Sequence, residues 1–416
     1  SSVIFTALLL CLAGCDNEWD VSKDLTIGQD WLEEAETDTA DRLESDLFRE
    51  DEGSEPQSGW TNTADGAPFG EKDLSVQSDT AFSYGDSQLS GDEEQLYREI
   101  LNSLISYQEE TELSVKDPEM VERVFRYVMA DHPEIFYADG YEVTTYRLGT
   151  ELRRITFTGT WTLESDEVLS RRAQLEAAAA LWLEGLPDGT DDFEKAKYIY
   201  DALILRTEYE QGSADSQTIC SVLLNQRSVC QGYAKTFQYL CQLAGIPAML
   251  VTGDVNGEGH AWNIVFLDGD WYYIDPTWGD ASYQREEGEE TPALTETVNY
   301  DYFCVTTQEI ERTHSMDDNQ LLPVCNAVQD QYYRHEGLYL QSADKEKIDE
   351  IFARAAQKGE PMVCFQCADD TVYQEVYRLL IEEQGIFAYL PESETTAAYL
   401  DSDRERTFYF WFTGVS

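Results

Sequence analysis

The stretch from Ser228 to Asp280, SVCQGYAKTFQYLCQLAGIPAMLVTGDVNGEGHAWNIVFLDGDWYYIDPTWGD, restricts the fold most, because it joins a helix to a β-hairpin and places a reactive side chain on each. Ser228 followed three residues later by Gln231 fits a capping box, with Ser228 as the expected N-cap. Ala234, Phe237, Leu240, Cys241 and Ala244 then recur at helical spacing, a stripe that needs a core to bury it, and Gly245 and Pro247 close the run. Cys230 therefore falls in the first helical turn. There the positive end of the helix dipole and unsatisfied backbone N–H groups favour a thiolate, the reactive form of cysteine.

The hairpin follows from its turn. Asp268-Gly269 between HAWNIVFL and DWYYIDPT is a two-residue hairpin signal. In that register Leu267 faces Asp270, Trp262 faces Asp275 and His260 faces Thr277, so His260 and Asp275 are diagonal neighbours on one face, about 7–8 Å apart at the backbone. An imidazole and a carboxylate bridge that gap. Asp275 is thus expected to orient His260, and His260 to take the proton of Cys230, giving a nucleophile, a base and an orienting acid.

The segment resembles the transglutaminase-like superfamily of papain-fold cysteine enzymes. The resemblance is carried by Val229-Cys230-Gln231-Gly232-Tyr233-Ala234, by Gly259-His260-Ala261-Trp262-Asn263 and by Asp275-Pro276-Thr277-Trp278, in that order. It implies an α+β fold with a papain-like/transglutaminase-like core, a cysteine-bearing helix packed on an antiparallel sheet, flanked by small α/β domains. It also implies Cys230 as nucleophile, His260 as general base and Asp275 as orienting carboxylate, the three residues reached above. Gln231, Gly232, Tyr233, Trp262, Asn263 and Trp278 are expected to support or line the cleft, Gln231 and Gly232 through capping and close packing. The superfamily holds cross-linkers, peptidases, amidases and members without chemistry, so the resemblance alone selects no reaction.

Other candidates read more simply. Cys220, Cys241 and Cys304 suit small buried hydrophobes. His132 precedes Pro133 at a helix exit, while His314 and His335 lie in polar stretches with no matching acid pattern, which leaves His260 as the expected base. Cys364-Phe-Gln-Cys367 is a lone CxxC, expected to supply buried thiols on a strand rather than a zinc or redox site.

Residues 1–15, SSVIFTALLLCLAGC, read as the apolar core of a secretory signal, too short to span a bilayer. Leu12-Ala13-Gly14-Cys15 resembles a bacterial lipobox, implying cleavage before Cys15 and lipidation of its thiol. With no initiator Met or basic n-region, the stretch is expected to be part of a longer leader. Residues 16–91 are rich in Asp, Glu, Ser, Thr and Gly and read as a disordered tether that buries too little apolar surface to order itself. A helical and strand region is expected over 92–165, the transglutaminase-like domain over 166–328, and a small α/β domain over 329–416. The irregular acidic run after Asp280, to about Val298, is a candidate selectivity loop.

A formal net charge of -54 argues against nucleic acid as a partner. No P-loop, dinucleotide fingerprint or His/Cys metal cluster occurs in the sequence, so neither cofactor nor metal is expected. The nine cysteines become seven once Cys11 and Cys15 are set aside, an odd number that suits one free catalytic thiol. The expected function is a surface-anchored cysteine enzyme, held by its lipid on the outer face of a bacterial cytoplasmic membrane. It would act on amide bonds of protein, peptide or cell-wall peptide through a thioester, as a peptidase or amidase. The alternatives are a protein-glutamine transglutaminase and a catalytically silent scaffold lipoprotein.

Overall fold

A computed structural model describes residues 84–148, 151–186, 189–280, 298–317, 320–360, 362–389 and 398–411. The expected leader, Cys15, nearly all of the acidic tether and residues 281–297 of the candidate selectivity loop lie outside the described residues. The chain divides between Ala178 and Ala179 into two compact units.

In the first unit, helices α1 (Tyr84–Gln88), α2 (Asp92–Ser106) and α3 (Pro118–Asp131) accompany an antiparallel sheet of β1 (Thr111–Glu112), β2 (Ala138–Leu148) and β3 (Glu151–Trp161), in the order β1-β3-β2. α3 starts at a capped end: the Asp117 carboxylate accepts from the N–H groups of Glu119 and Met120, and Pro118 begins the first turn. The sheet buries Phe157 against Phe125 and Tyr141, with the Tyr141 and Phe157 rings stacked at 5.3 Å. Helix α4 (Ser165–Leu183) continues across the division.

The second unit holds α5 (Asp192–Arg206), β4 (Glu208–Tyr209), α6 (Ile219–Leu223), β5 (Arg227–Ser228) and α7 (Cys230–Leu243). A hairpin follows, β6 (Ala248–Val255) and β7 (Glu258–Leu267), then β8 (Asp270–Ile274), β9 (Phe303–Val305), α8 (Thr307–Ile310) and β10 (His314–Met316). The five strands pair antiparallel in the order β10-β6-β7-β8-β9, so β7, which carries His260, is central. α7 lies on this sheet with Ala234 buried among Leu250 and Ala261, and α5 and α6 pack against α7. Small residues on both sides let helix and sheet approach closely.

The turn at Asp268-Gly269 forms as expected, with Leu267 opposite Asp270 and positive φ at both turn residues, 49° and 104°. Asn256-Gly257 forms a second tight turn, with φ of 55° and 85°, pairing Val255 with Glu258. Asn and Gly both tolerate that backbone, so the pair closes a hairpin.

The C-terminal segment adds α9 (Tyr332–His335), β11 (Tyr339–Leu340), α10 (Lys345–Lys358), β12 (Met362–Cys367), α11 (Asp370–Tyr377), β13 (Ala398–Ser402) and β14 (Thr407–Trp411). Its sheet runs β11-β12-β14-β13, parallel only between β11 and β12. Cys364 and Cys367 are buried free thiols on β12.

This segment shares one compact unit with the cysteine-bearing core, whereas the sequence alone gave it a boundary near 329. Side-chain chemistry accounts for the union. Asp301, two residues before β9, is buried and accepts hydrogen bonds from Tyr333 (2.6 Å), Tyr409 (2.9 Å) and Thr407 (3.0 Å), while the Tyr302 hydroxyl donates to Glu405 at 2.9 Å. Burial, then the nearby Glu405 carboxylate, push Asp301 up to about 7 against the hydroxyl donors. A folded value above the ordinary 3.8 means that this contribution to stability is complete below 3.8 and is lost as pH rises through about 7. Asp301→Asn should therefore flatten the fall in melting temperature between about pH 4 and pH 7, measured by thermal denaturation against the parent chain.

Candidate active site

The helix that carries the thiol begins one residue later than its sequence suggests. Its N-cap is Val229, with no side-chain hydrogen bond, rather than Ser228. Ser228 is fully buried in β5, and its hydroxyl is occupied by Ser221 Oγ at 2.7 Å and the Ser216 carbonyl at 2.8 Å, so it cannot cap. Cys230 consequently takes the first helical position, where a backbone N–H has no carbonyl partner within the helix, and Gln231 the second. Gly232 is required by this packing: a Cβ there would lie 2.0 Å from Ser228 Oγ and 2.6 Å from the Ser216 carbonyl. Cys230 is half-buried, while the other described cysteines are buried.

The acid arises where the hairpin ladder stops. Pairing of β7 with β8 ends at Asn263 opposite Ile274, so Trp262 does not face Asp275, nor His260 Thr277. The chain turns away at Asp275, whose Oδ1 accepts the N–H groups of Thr277 (2.8 Å) and Trp278 (3.1 Å), and whose own N–H donates to the Tyr302 carbonyl. This turn aims Oδ2 at His260 Nε2, 2.8 Å away, so the two side chains meet as the hairpin implied. His260 itself sits opposite Gly253 on β6.

The structure adds a residue that the sequence assigned to a polar stretch. His314, on the edge strand β10, is buried, and its Nε2 lies 3.0 Å from the same Asp275 Oδ2. No local pattern announces it. The one trace is Gly253, where a Cβ would be 2.1 Å from the Ser315 carbonyl, so only glycine lets β10 close on β6. The rings of Trp262 (4.8 Å), Trp278 (5.2 Å), His260 (5.5 Å) and Tyr302 (5.7 Å) surround the His314 imidazole.

These contacts set the charges. Burial opposes ionisation of Asp275, but the His260 charge and hydrogen bond, joined by His314, hold the carboxyl well below its usual range. Burial also opposes protonation of His260, yet the Asp275 carboxylate, with a smaller contribution from the adjoining Cys230 side chain, raises it well above the ordinary histidine value. His314 moves the other way: burial lowers it, the bond to Asp275 offsets part of that, and the His260 charge opposes a second proton nearby. One carboxylate therefore serves one charged and one neutral imidazole.

Among the expected supporting residues, Tyr233 is buried, and its hydroxyl lies within hydrogen-bond reach of two acceptors, the Thr207 carbonyl (3.0 Å) and the Asp280 carboxylate (2.9 Å), bracing the helix start. Asn263 ties helix to sheet by donating to the Ala234 carbonyl at 3.0 Å. Trp262 is fully buried beneath His260, ring to ring at 5.8 Å, so it supports rather than lines a cleft; Trp278 is 9% exposed and meets His260 edge-on. Gln231 is buried at the second helical position. Donor atoms of His260, Asp275 and His314 lie within 4.8 Å of one another, a convergence unforeseen in the sequence, with both imidazole Nε2 atoms already bonded to Asp275.

A cysteine at a helix start facing a histidine-bearing antiparallel sheet is the papain-like α+β arrangement. Within that class, residues 183–276 match the transglutaminase-like superfamily, and the chain carries a domain of this superfamily. The kyphoscoliosis peptidase of Homo sapiens is 33% identical over 111 residues, which make up 23% of this chain and 17% of the relative; that of Mus musculus is 32% identical over the same shares. The chain thus spans less than a fifth of the length of these relatives. A TGase crystal structure is similar over 37% of this chain and 47% of its own, at 13% identity and a TM-score of 0.25. The periplasmic domain of TgpA from Pseudomonas aeruginosa, bound to ethylmercury, is similar over 33% of this chain and 65% of its own, at 19% identity and a TM-score of 0.21.

The charge assignment is open to direct measurement, since the chain has only four histidines. Histidine NMR titration should show His260 retaining its proton well above the ordinary value of 6.5. In Asp275→Asn its midpoint should fall by about two pH units or more, as removal of a paired buried carboxylate dictates.

Proposed function

We propose that this chain is a cysteine enzyme that cleaves amide bonds through a thioester, with Cys230 as nucleophile, His260 as general base and acid, and Asp275 as orienting carboxylate. The observation that carries the reading is the buried 2.8 Å bond from Asp275 to a histidine adjoining a half-buried cysteine in the first helical position. Cys230 Sγ attacks the amide carbonyl, and its thiol proton resides on His260. The carbonyl oxygen becomes an oxyanion, for which the free N–H at the helix start is a donor. His260 then passes the proton to the departing amine as the C–N bond breaks, leaving a thioester. In the second half His260 takes a proton from water, the hydroxide adds to the thioester, and the carboxylic acid leaves as the proton returns to sulfur.

The peptidase name of the similar human protein supports hydrolysis over transfer to an amine. Substrates of this reading are protein, peptide or cell-wall peptide. The location that goes with it is a membrane surface reached through lipidated Cys15, the tether keeping the enzyme clear of the lipid.

Iodoacetamide labelling mapped by peptide mass tests the thiol. Cys230 should react fastest at neutral pH, and His260→Ala should slow it by about 10²-fold or more, the usual share of a positioned base. Equal rates in the two chains would sink the activated pair. Incubation with a peptide mixture and a fluorescent primary amine then separates the reactions: new amino termini without amine incorporation mark the hydrolase, amine incorporation marks the transferase, and Cys230→Ala should lose either by about 10³-fold or more.

A further inference from the structure

We infer that His314 is a positioning residue of this site, a neutral imidazole whose Nε2–H fixes the Asp275 carboxylate by donating to the same oxygen that serves His260. The inference rests on reading Cys230, His260 and Asp275 as the reacting groups, and adds a member that those three do not require.

Asp275 is fully buried, and its oxygens meet four donors: two backbone N–H groups on Oδ1 and two imidazoles on Oδ2. A buried carboxylate left with fewer donors loses much of the compensation for its desolvation. His314 therefore secures the charge of Asp275 as well as its direction. It does so without adding charge. His260 and Asp275 form a neutral pair, and a second protonated ring would leave an unpaired cation in a buried cage, the costly arrangement. The ionisable groups facing His314 are Asp275, His260 and Tyr302; its pairing partner on β6 is Val255, which carries no charge. With Nε2–H pointed at Asp275, the neutral tautomer leaves Nδ1 as an acceptor for the Thr313 hydroxyl, 2.7 Å away, in place of that hydroxyl's longer 3.3 Å bond to the Ile310 carbonyl.

Sharing has a chemical effect on the partner ring. A donor already bound to Oδ2 withdraws part of the negative charge that His260 would otherwise meet. His260 is thereby less basic than it would be against an unshared carboxylate, and yields its proton more readily to a departing amine.

Histidine NMR titration on the full chain tests this apart from any turnover. His314→Phe keeps a ring in the aromatic cage but removes the donor, and the His260 midpoint should rise by about one pH unit. His314→Gln restores an N–H donor, and the midpoint should stay near that of the parent. An unmoved midpoint in folded His314→Phe, or equal shifts in both variants, would leave His314 only a packing role and overturn the proposal. If His314→Phe does not fold, the parent chain still decides: ¹⁵N shifts at about pH 7 should show His314 as the neutral Nε2–H tautomer, and a charged ring there refutes the assignment. Failure of Cys230 to react in the parent, with these shifts intact, would reject the amide-cleaving reading while leaving the His314 assignment standing.

Discussion

One buried carboxylate organises the second unit. Asp275 follows directly on a strand, turns the chain, orients His260, engages His314 and accepts from four protein donors while fully buried. A single ionised oxygen pair in a low-dielectric site is tolerable only with such saturation, and supplying the donors requires several separate elements to arrive in register. β7 brings His260, β10 brings His314, and the turn after β8 brings the two backbone groups. The register of the sheet is therefore tied to the charge state of the site, and misplacing any one strand would strand a charge.

Much of this was legible in the sequence because it is local. The helical stripe, the Asp268-Gly269 turn and the alternating hairpin strands each lie within a short window, and turn chemistry fixes the register of β7 against β8 without tertiary information. The union of His260 with Asp275 followed from that register even though the ladder stops one pair short. What escaped notice is what depends on distant contacts. Ser228 looks like a helix cap, yet two other serines claim its hydroxyl. His314 sits on a three-residue strand whose partner lies some sixty residues earlier, and its segment carries no alternation long enough to reveal it. Asn256-Gly257 is ambiguous on its own, since the dipeptide suits both an open loop and a tight turn, and only the pairing of Val255 with Glu258 decides.

Electrostatics divides the two histidines more sharply than sequence could. Both donate to one oxygen, both are buried, and both rest among aromatic rings, so composition and burial alone would treat them alike. The difference lies in what adjoins the second face of each ring. His260 adjoins the Cys230 side chain, whereas the remaining nitrogen of His314 meets the Thr313 hydroxyl. The two imidazoles thus differ in charge while sharing one carboxylate oxygen.

Tyr302 gives the C-terminal sheet a stake in this geometry. Its carbonyl accepts the Asp275 N–H, its ring touches Trp278 and His314, and its hydroxyl reaches Glu405 beside β14. Glu405 and the strand β14 that follows it are consequently tied to the wall that holds Asp275 in place. During synthesis the residues of the proposed chemistry emerge well before Glu405 and β14, so the site stays unbraced on that side until this stretch has been made.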